Sequence, residues 1–210
     1  RRFTGYKRPE LIFSDPERLS RILNTPKRPV QLVFAGKAHP ADEGGKHHLR
    51  RVYQRTLDPG FAGRVAFVND YDLHVAHFLV QGCDVWLNNP RKPMEASGTS
   101  GMKAGLNGVP HLSIGDGWWA EGYTGDNGWL IDGGTHSTDE TTDAADAAAL
   151  YTLLEQQVVP TFYERDDNNL PRRWLLIARQ AICTVARQFT TRRLVKEYVE
   201  QMYAPTFLEG

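Results

Sequence analysis

Short apolar runs alternate with helical patterns along the first two thirds of the chain. Runs bounded by Gly, Pro or Asn predict buried strands at 29–35, 64–68, 85–87, 111–114 and 128–131. Apolar residues at three- and four-residue spacing predict helices over about 17–23, 42–57, 70–80 and 100–107. This alternation is typical of right-handed βαβ units. We therefore predict an α/β fold with a doubly wound parallel sheet of about five or six strands, whose binding sites lie at the carboxyl ends of the strands.

Helix boundaries follow from the capping residues. Asp15 and Pro16 have the residue types of an N-cap and a first helical position. The second helical pattern begins at Asp42, and Asn69 or Asp70 is predicted to cap the third.

The last third of the chain has a different pattern. Residues 135–147 are polar and Ala-rich, and we expect a loop there that leads into a helix over 148–159. A break at 166–171 precedes a long helical pattern over 172–203, whose apolar positions are Leu175, Ala178, Ile182, Val185 and Phe189. We predict two or three helices that cover one face of the sheet. The 210 residues are expected to form one domain, with the sheet and site loops in 1–134 and helices in 135–210.

Composition excludes several classes of protein. The 25 Lys and Arg balance 25 Asp and Glu, which argues against a protein that wraps nucleic acid. The longest apolar run, Trp174–Ala178, is far shorter than the roughly 20 residues of a membrane span. Two cysteines, Cys83 and Cys183, predict no disulfide framework and a cytoplasmic setting. Because the chain begins with Arg, we expect a fragment or a processed protein.

The segment Glu95-Ala-Ser-Gly-Thr-Ser-Gly-Met-Lys103 is the richest in candidate chemistry. Small and hydroxyl residues directly before a predicted helix let backbone N–H groups approach an anion, which the helix dipole also favours. Lys103 is predicted to lie in the first turn, where the dipole and nearby cations favour the neutral amine that attacks an aldehyde. Composition alone favours an ordinary Gly-rich turn with a surface lysine.

Other clusters are weaker. Arg1, Arg2, Lys7 and Arg8 place four cations within eight residues, either as a phosphate clamp or as a solvated terminus. His74 and His77 lie three residues apart on a predicted helix, which is insufficient for a metal centre, and we predict no metal site.

The segment from Glu95 to Lys103 resembles the pyridoxal-phosphate motif of the α-glucan phosphorylases, the glycogen, starch and maltodextrin enzymes. The opening Arg1-Arg-Phe-Thr-Gly-Tyr-Lys-Arg8 is similar to the family segment that contacts the cofactor and substrate phosphates. Shorter similarities lie at 34–40, 69–71, 84–88 and 116–119, the last two being those of the shorter bacterial and archaeal branch. The resemblance implies a Rossmann-like C-terminal half of a GT-B glycosyltransferase, and it is close from residue 1 to about Gly134.

The resemblance also implies roles for individual residues. Lys103 would form the Schiff base with pyridoxal phosphate, and Tyr71 would lie against that cofactor. The cofactor phosphate would be surrounded by Arg1, Gly98, Thr99 and Ser100. Arg2 and Lys7 would hold the substrate phosphate, while Glu95, Ser97 and Gly98 would contact the glucosyl unit. The implied reaction transfers a glucosyl unit from an α-glucan to orthophosphate and gives glucose 1-phosphate.

Two features depart from the family pattern. Asp72 stands where the muscle and plant enzymes carry Arg, so one cofactor contact is in doubt. Family enzymes are also much longer and build their site between two domains, so we expect this chain to lack the N-terminal domain and to be inactive alone. Two alternatives remain open: a nucleotide-sugar-dependent glucan synthase of similar fold, and a non-catalytic sugar- or phosphate-binding module.

Overall fold

The computed structural model describes residues 2–208, without the side chains of residues 207 and 208. The described strands are β1 (Arg2–Phe3), β2 (Leu32–Ala35), β3 (Lys37–Ala38), β4 (Val65–Val68), β5 (Trp86–Asn88), β6 (His111–Ile114) and β7 (Gly128–Ile131). The described α-helices are α1 (Pro16–Leu23), α2 (Glu43–Thr56), α3 (Leu73–Gly82), α4 (Thr99–Leu106), α5 (Trp118–Gly122), α6 (Asp139–Leu153), α7 (Val159–Tyr163), α8 (Arg172–Gln188), α9 (Thr191–Tyr198) and α10 (Ala204–Leu208). None of these helices is long and apolar enough to cross a membrane.

All pairings between the described strands are parallel, which confirms the predicted α/β class. β2 pairs with β4, β5 with β6, and β6 with β7, in registers such as Leu32↔Val65 and Trp86↔His111. β1 pairs with β3, which continues the path of β2 beyond Gly36. The prediction of one continuous sheet is not met among residues 2–208, because no described strand bridges the edges of β2 and β5.

Two of the predicted helix starts are confirmed and one is wrong. Asp15 caps α1 by accepting the Arg18 N–H, and Asp42 caps α2 by accepting the Gly45 N–H. The third helix begins at Leu73 because Asp72, not Asn69 or Asp70, accepts a backbone N–H at its start. Asp70 has a φ of 53°, a left-handed conformation that an N-cap does not adopt.

The C-terminal third also differs from its prediction in detail. α6 begins at Asp139, within the segment predicted as a loop, because Thr138 and Thr141 form a reciprocal capping box. In α8 the buried positions are Trp174, Ala181 and Val185, whereas Leu175 and Ile182 are exposed. The prediction was therefore correct for Val185 and wrong for Leu175 and Ile182.

The main core forms where the strands meet α1, α2 and α6, and it contains Leu19, Val52, Leu112, Ile131 and Leu150. A second cluster joins Trp118, Trp119 and Val185, so that α8 holds the segment after β6. α8 also packs directly on α4: a Cβ at Gly105 would lie 2.8 Å from Val185 Cγ2. α8 therefore packs against both α4 and the segment after β6.

Candidate functional site

The candidate site lies at the carboxyl ends of β5 and β6, where parallel sheets place their ligands. The chain leaves β5 at Asn88, crosses a loop and enters α4 at Thr99. Gly98 is the N-cap of α4 with φ 81° and ψ 42°, a left-handed conformation that glycine adopts without strain. The N–H groups of Thr99 and Ser100 therefore stand at the start of a helix, where they have no partner within it and the dipole favours an anion.

Glu95 is the buried carboxylate of this loop. Its side chain is 6% exposed, and its Oε2 accepts a hydrogen bond from Lys7 Nζ at 2.5 Å. Its backbone N–H donates to Asp116 Oδ2 at 2.8 Å. Because Asp116 follows β6, these two bonds tie the loop after β5 both to the N-terminal segment and to the neighbouring strand.

The segment after β6 also holds the loop that precedes α4 in place. Trp118 N–H donates to the Ser97 carbonyl at 2.9 Å, and Gly117 has a φ of 56°. A Cβ at Gly117 would lie 2.7 Å from the Ser97 carbonyl oxygen, so this crossing excludes any larger residue. Asp116 and Gly117 were not predicted to have a role. Their position directly after a predicted strand, where parallel sheets bind ligands, could have indicated one.

The first turn of α4 lies tight against buried aromatic rings. A Cβ at Gly101 would meet His111 Cε1 at 2.5 Å and Trp118 Nε1 at 2.9 Å. The rings of His111 and Trp118 are themselves 5.2 Å apart and both are buried. The start of α4 is thus held on a rigid support, which is what a preorganised binding site requires.

The described N-terminal cations lie in two different environments. Arg2, Lys7 and Tyr71 line one groove, whose lining also includes Asn88 at the end of β5. Lys7 also lies over the Tyr6 ring, with Nζ 4.8 Å from the ring centroid. Arg8 turns away: its guanidinium bonds the carbonyls of Asn89 and Pro90 and forms ion pairs with Asp143 and Asp146.

Arg8 is therefore a structural residue and not part of a four-cation clamp. Arg1, the remaining member of that cluster, lies outside the described residues. Two cations, Arg2 and Lys7, remain available to the groove, and Arg2 is exposed.

The sequence predicted Lys103 in the first turn of α4, and the structure shows that this prediction is wrong. The helix begins one residue earlier than expected, at Thr99, so Lys103 is its fifth residue and belongs to the last turn. Lys103 therefore does not lie at the positive end of the dipole of α4. The Lys103 side chain is exposed, and among residues 2–208 its ammonium has no carboxylate partner.

The remaining predicted contacts line the loop and the groove. Ser97 and Thr99 are exposed, Ser100 is half-buried, and Tyr71 is half-buried in the groove. Asp72, the departure from the family pattern, accepts the Val75 N–H at 2.8 Å and so caps α3. This residue has a structural reason of its own to be an aspartate.

Two polar groups enter the groove from the amino end of β5. Burial raises the pKa of the Cys83 thiol, with a further contribution from the neighbouring Asp84 carboxylate, and burial also raises the pKa of Asp84.

Among the residues that the structure describes, no three His, Cys, Asp or Glu side chains cluster as metal ligands would.

Comparisons with known proteins identify the family that the chain resembles. A family model for carbohydrate phosphorylase matches residues 1–125. The chain is 52% identical over 209 residues to a glycogen phosphorylase of Aquifex aeolicus, and this match covers 100% of the chain and 30% of the relative. It is 51% identical over 205 residues to a maltodextrin phosphorylase of Thermococcus litoralis, covering 97% of the chain and 24% of the relative. The chain thus spans less than a third of the length of either protein.

A search of solved structures tests the fold alone. The Anabaena protein Alr3699/HepE, solved in complex with UDP-glucose, matches 97% of the chain and 47% of its own length. The TM-score is 0.64 and the sequence identity is 18%. This likeness confirms the predicted fold class, a Rossmann-like half of a GT-B glycosyltransferase.

Proposed function

The chain belongs to the carbohydrate phosphorylase family, and we propose that it forms the C-terminal, pyridoxal-phosphate-binding part of an α-1,4-glucan phosphorylase. The proposed substrates are a glycogen or maltodextrin chain and orthophosphate, and the product is glucose 1-phosphate. The observation that carries this proposal is the start of α4, where the Gly98 cap opens an anion site beside the Lys7–Glu95 pair.

The residues at this helix start fit the phosphate group of pyridoxal phosphate. Two N–H groups of the helix start and the hydroxyls of Thr99 and Ser100 form a set of donors suited to phosphate oxygens. A side chain at Gly98 would crowd the space beside Trp118 Cδ1, 3.3 Å away, and Glu95 Oε1, 3.5 Å away. Arg1 is proposed as a further cation of this site. The bound cofactor would supply a phosphate that exchanges a proton with the substrate phosphate.

Lys103 is the proposed attachment point of the cofactor. Its exposed amine is carried by the helix whose first turn would hold the cofactor phosphate, so both contacts come from one rigid element. Tyr71, half-buried in the adjoining groove, is proposed to lie against the cofactor.

The substrate side is assigned to the groove's cations and to the loop. Arg2 and Lys7 would neutralise orthophosphate, which must approach a second phosphate closely. Preorganised cations reduce the electrostatic repulsion between the two phosphates. Glu95, Ser97 and Gly98 would bind the hydroxyls of the glucosyl unit. The orthophosphate oxygen would then bond to C1 as the bond to the leaving glucan oxygen breaks, and that leaving oxygen would receive the proton that orthophosphate gives up.

The rest of the enzyme would supply the opposite wall of the cleft. We propose that the 210 residues act as one domain and that this domain is inactive without its N-terminal partner. The cytoplasm is the proposed setting, in keeping with the free thiols Cys83 and Cys183.

Reduction with borohydride in the presence of pyridoxal phosphate tests the assignment. Lys103 should carry the trapped cofactor in a peptide digest, and Lys103→Ala should lose both the trapped cofactor and glucose 1-phosphate formation by the intact enzyme. Lys92→Ala is the matched control, since Lys92 is an exposed lysine of the loop that leads into α4. Trapping at an unchanged level on Lys103→Ala would refute the assignment. Turnover that needs a nucleotide sugar and no pyridoxal phosphate would favour the glucan synthase alternative.

A further inference from the structure

The buried Arg8 guanidinium lies at the point where three segments of the chain meet. Its Nε donates to the Asn89 carbonyl at 3.0 Å, and its Nη2 donates to the Pro90 carbonyl at 2.8 Å. Its Nη1 lies 2.7 Å from Asp143 Oδ1 and 2.8 Å from Asp146 Oδ2, both in α6. The side chain is 5% exposed, so these contacts are shielded from water. The guanidinium therefore joins the N-terminal segment, the loop after β5 and the helix after β7.

Further hydrogen bonds hold the N-terminal segment against the loop after β5. The Asn89 side-chain amide donates to the Arg8 carbonyl at 2.7 Å, and the Arg91 N–H donates to the Tyr6 carbonyl at 2.6 Å. Arg8 has a φ of 44°, in the left-handed region. A residue other than glycine keeps that conformation only where its surroundings fix it. Lys7 is thus held from both of its neighbours in the chain.

Lys7 and Arg8 contact opposite ends of one loop. Lys7 Nζ donates to Glu95 Oε2 at 2.5 Å, near the entry into α4. Arg8 holds the start of the same loop at Asn89 and Pro90. Lys7 lines the groove of about 750 Å³ between β2 and β5, whereas the Arg8 side chain is directed to α6. The position of the Lys7 ammonium in the groove is therefore constrained by a residue that reaches away from it.

The ion pairs with α6 make the arginine side chain itself necessary. Asp146 is 8% exposed, and its Oδ1 accepts the Gly133 N–H at 3.2 Å while its Oδ2 pairs with Arg8. A guanidinium presents its N–H donors in a rigid planar fork, whereas a lysine ammonium is a compact point charge. Lysine at position 8 would keep the positive charge beside α6 and lose the simultaneous bonds to the loop after β5.

We propose that Arg8 is a positioning residue of the orthophosphate site, which holds the main chain at Lys7 so that the ammonium keeps one place in the groove. The inference rests on the function proposed above, in which Lys7 binds orthophosphate. A displacement of about 1 Å can cost about a hundredfold in rate, even where the changed residue is remote from the reaction. Cofactor attachment should not depend on Arg8, because Lys103 is carried by α4.

Kinetics of the intact enzyme test this role through a double-mutant cycle. Arg8→Lys should lower kcat/KM for orthophosphate by about tenfold to a hundredfold. In a Lys7→Met background the same change should lower kcat/KM by less than about twofold, because no ammonium remains to be positioned. Equal losses in the two backgrounds would mean that Arg8 acts on the fold in general, and that result would overturn the proposal.

Arg91→Gln is the matched control within the same network. It removes the ion pairs with Asp139 and Asp143, at 2.9 and 2.8 Å, while the Arg91 N–H still reaches the Tyr6 carbonyl. The Arg91 side chain is 22% exposed, so kcat/KM for orthophosphate should change by less than about fivefold. A loss as large as that of Arg8→Lys would assign the effect to the α6 ion pairs in general and would contradict the proposal.

Competitive acetylation of lysines gives a readout that does not need the reaction. The Lys7 side chain is paired and 14% exposed, so it should react slowly with acetic anhydride in the intact protein. Arg8→Lys should raise the labelling of Lys7 by about tenfold relative to the exposed Lys27, and Arg91→Gln should leave it unchanged. Unchanged labelling of Lys7 in Arg8→Lys would overturn the positioning role. Increased labelling without cofactor trapping at Lys103 would instead refute the proposed function and support the positioning of Lys7.

Asp146→Asn tests the same role without a change in the N-terminal segment. The variant removes the charge that faces Arg8 and keeps an oxygen for the Gly133 N–H. Labelling of Lys7 should rise in the same direction as in Arg8→Lys. If Lys7 stayed protected in Asp146→Asn, the contact with α6 would not hold Arg8, and the proposal would be wrong.

Discussion

Lys7 Nζ and Glu95 Oε2 lie 2.5 Å apart and join two segments separated by 88 residues. The side chains are 14% and 6% exposed, so the pair is almost fully removed from water. Under the proposed function, Lys7 binds a substrate phosphate and Glu95 a sugar hydroxyl. The two groups neutralise each other in this structure, and an incoming anion would therefore compete with Glu95 for the Lys7 ammonium.

Replacement of Lys7 by methionine should destabilise the fold. The variant removes a hydrogen bond between charged groups at a buried carboxylate, which costs about 1.5–3 kcal/mol of unfolding free energy. Urea unfolding would measure the loss. Combined with Glu95→Gln, the total should be smaller than the sum of the two single effects, because the residues are in contact.

The exposed pair formed by Lys46 and Glu43 provides the control. Their side chains are 34% and 76% exposed, so Lys46→Met should lower the unfolding free energy by less than Lys7→Met does. If Lys7→Met cost no more than Lys46→Met, the buried pair would contribute nothing beyond a surface contact.

Gly101→Ala should damage the start of α4. The new methyl group would meet His111 Cε1 at 2.5 Å, and neither His111 nor Trp118 has free space into which it could move, since they are 2% and 4% exposed. Overpacking of this kind costs about 1–3 kcal/mol, measurable as a lower midpoint of urea unfolding. Gly82→Ala is the matched control because a Cβ there meets nothing within 4 Å, and its stability should not fall. Equal stability of both variants would show that α4 is not held by this contact.

How much of the site the sequence could predict depends on the range of each interaction. The cap by Asp15 accepts the N–H of a residue three positions away, and the local pattern was sufficient to predict it. The place of Lys103 within α4 depended on one residue at the helix start, where the left-handed Gly98 sets the boundary. The pairing of Lys7 with Glu95 depends on the tertiary fold, and no local pattern carries it.

The same limit applies to the sheet. Alternating strands and helices predicted parallel pairing correctly, because that topology follows from the order of elements. They could not predict the groove between β2 and β5, since a hydrophobic pattern does not say which strand lies beside which. The role of Arg8 was missed for a similar reason: its partners Asp143 and Asp146 lie far along the chain.

Glu155 should make stability depend on pH in acid. The Arg18 guanidinium donates to both carboxylate oxygens, at 3.0 and 2.7 Å, and this hydrogen bonding lowers the pKa of Glu155. A lowered folded-state pKa stabilises the fold above the ordinary glutamate range, and that stabilisation is lost as the pH falls through the folded-state pKa. Glu155→Gln should therefore cost about 0.2–1 kcal/mol at neutral pH, as partly exposed pairs do.

Urea unfolding across the acid range would measure this dependence. The difference between Glu155→Gln and the parent should vanish once the pH lies below the folded-state pKa, where the carboxyl is protonated in both states. Glu164→Gln is the control because its contact with Arg173 is 3.8 Å long and highly exposed. A difference for Glu155→Gln that persisted in acid would assign its effect to something other than the carboxylate charge.

The 210-residue chain alone should show no measurable phosphorolysis while it keeps an anion site at α4. A cleft enzyme aligns its two substrates between two walls, and alignment supplies about 7–11 kcal/mol of barrier reduction. Loss of one wall should forfeit most of it. The N–H groups of Thr99 and Ser100 need only their own helix, so orthophosphate should still shift their amide resonances in a titration. Glucose 1-phosphate release from maltodextrin, orthophosphate and added pyridoxal phosphate gives the activity readout. Turnover near that of intact family enzymes would mean that these residues build the whole site, and an unchanged amide spectrum would mean that the helix start binds no anion.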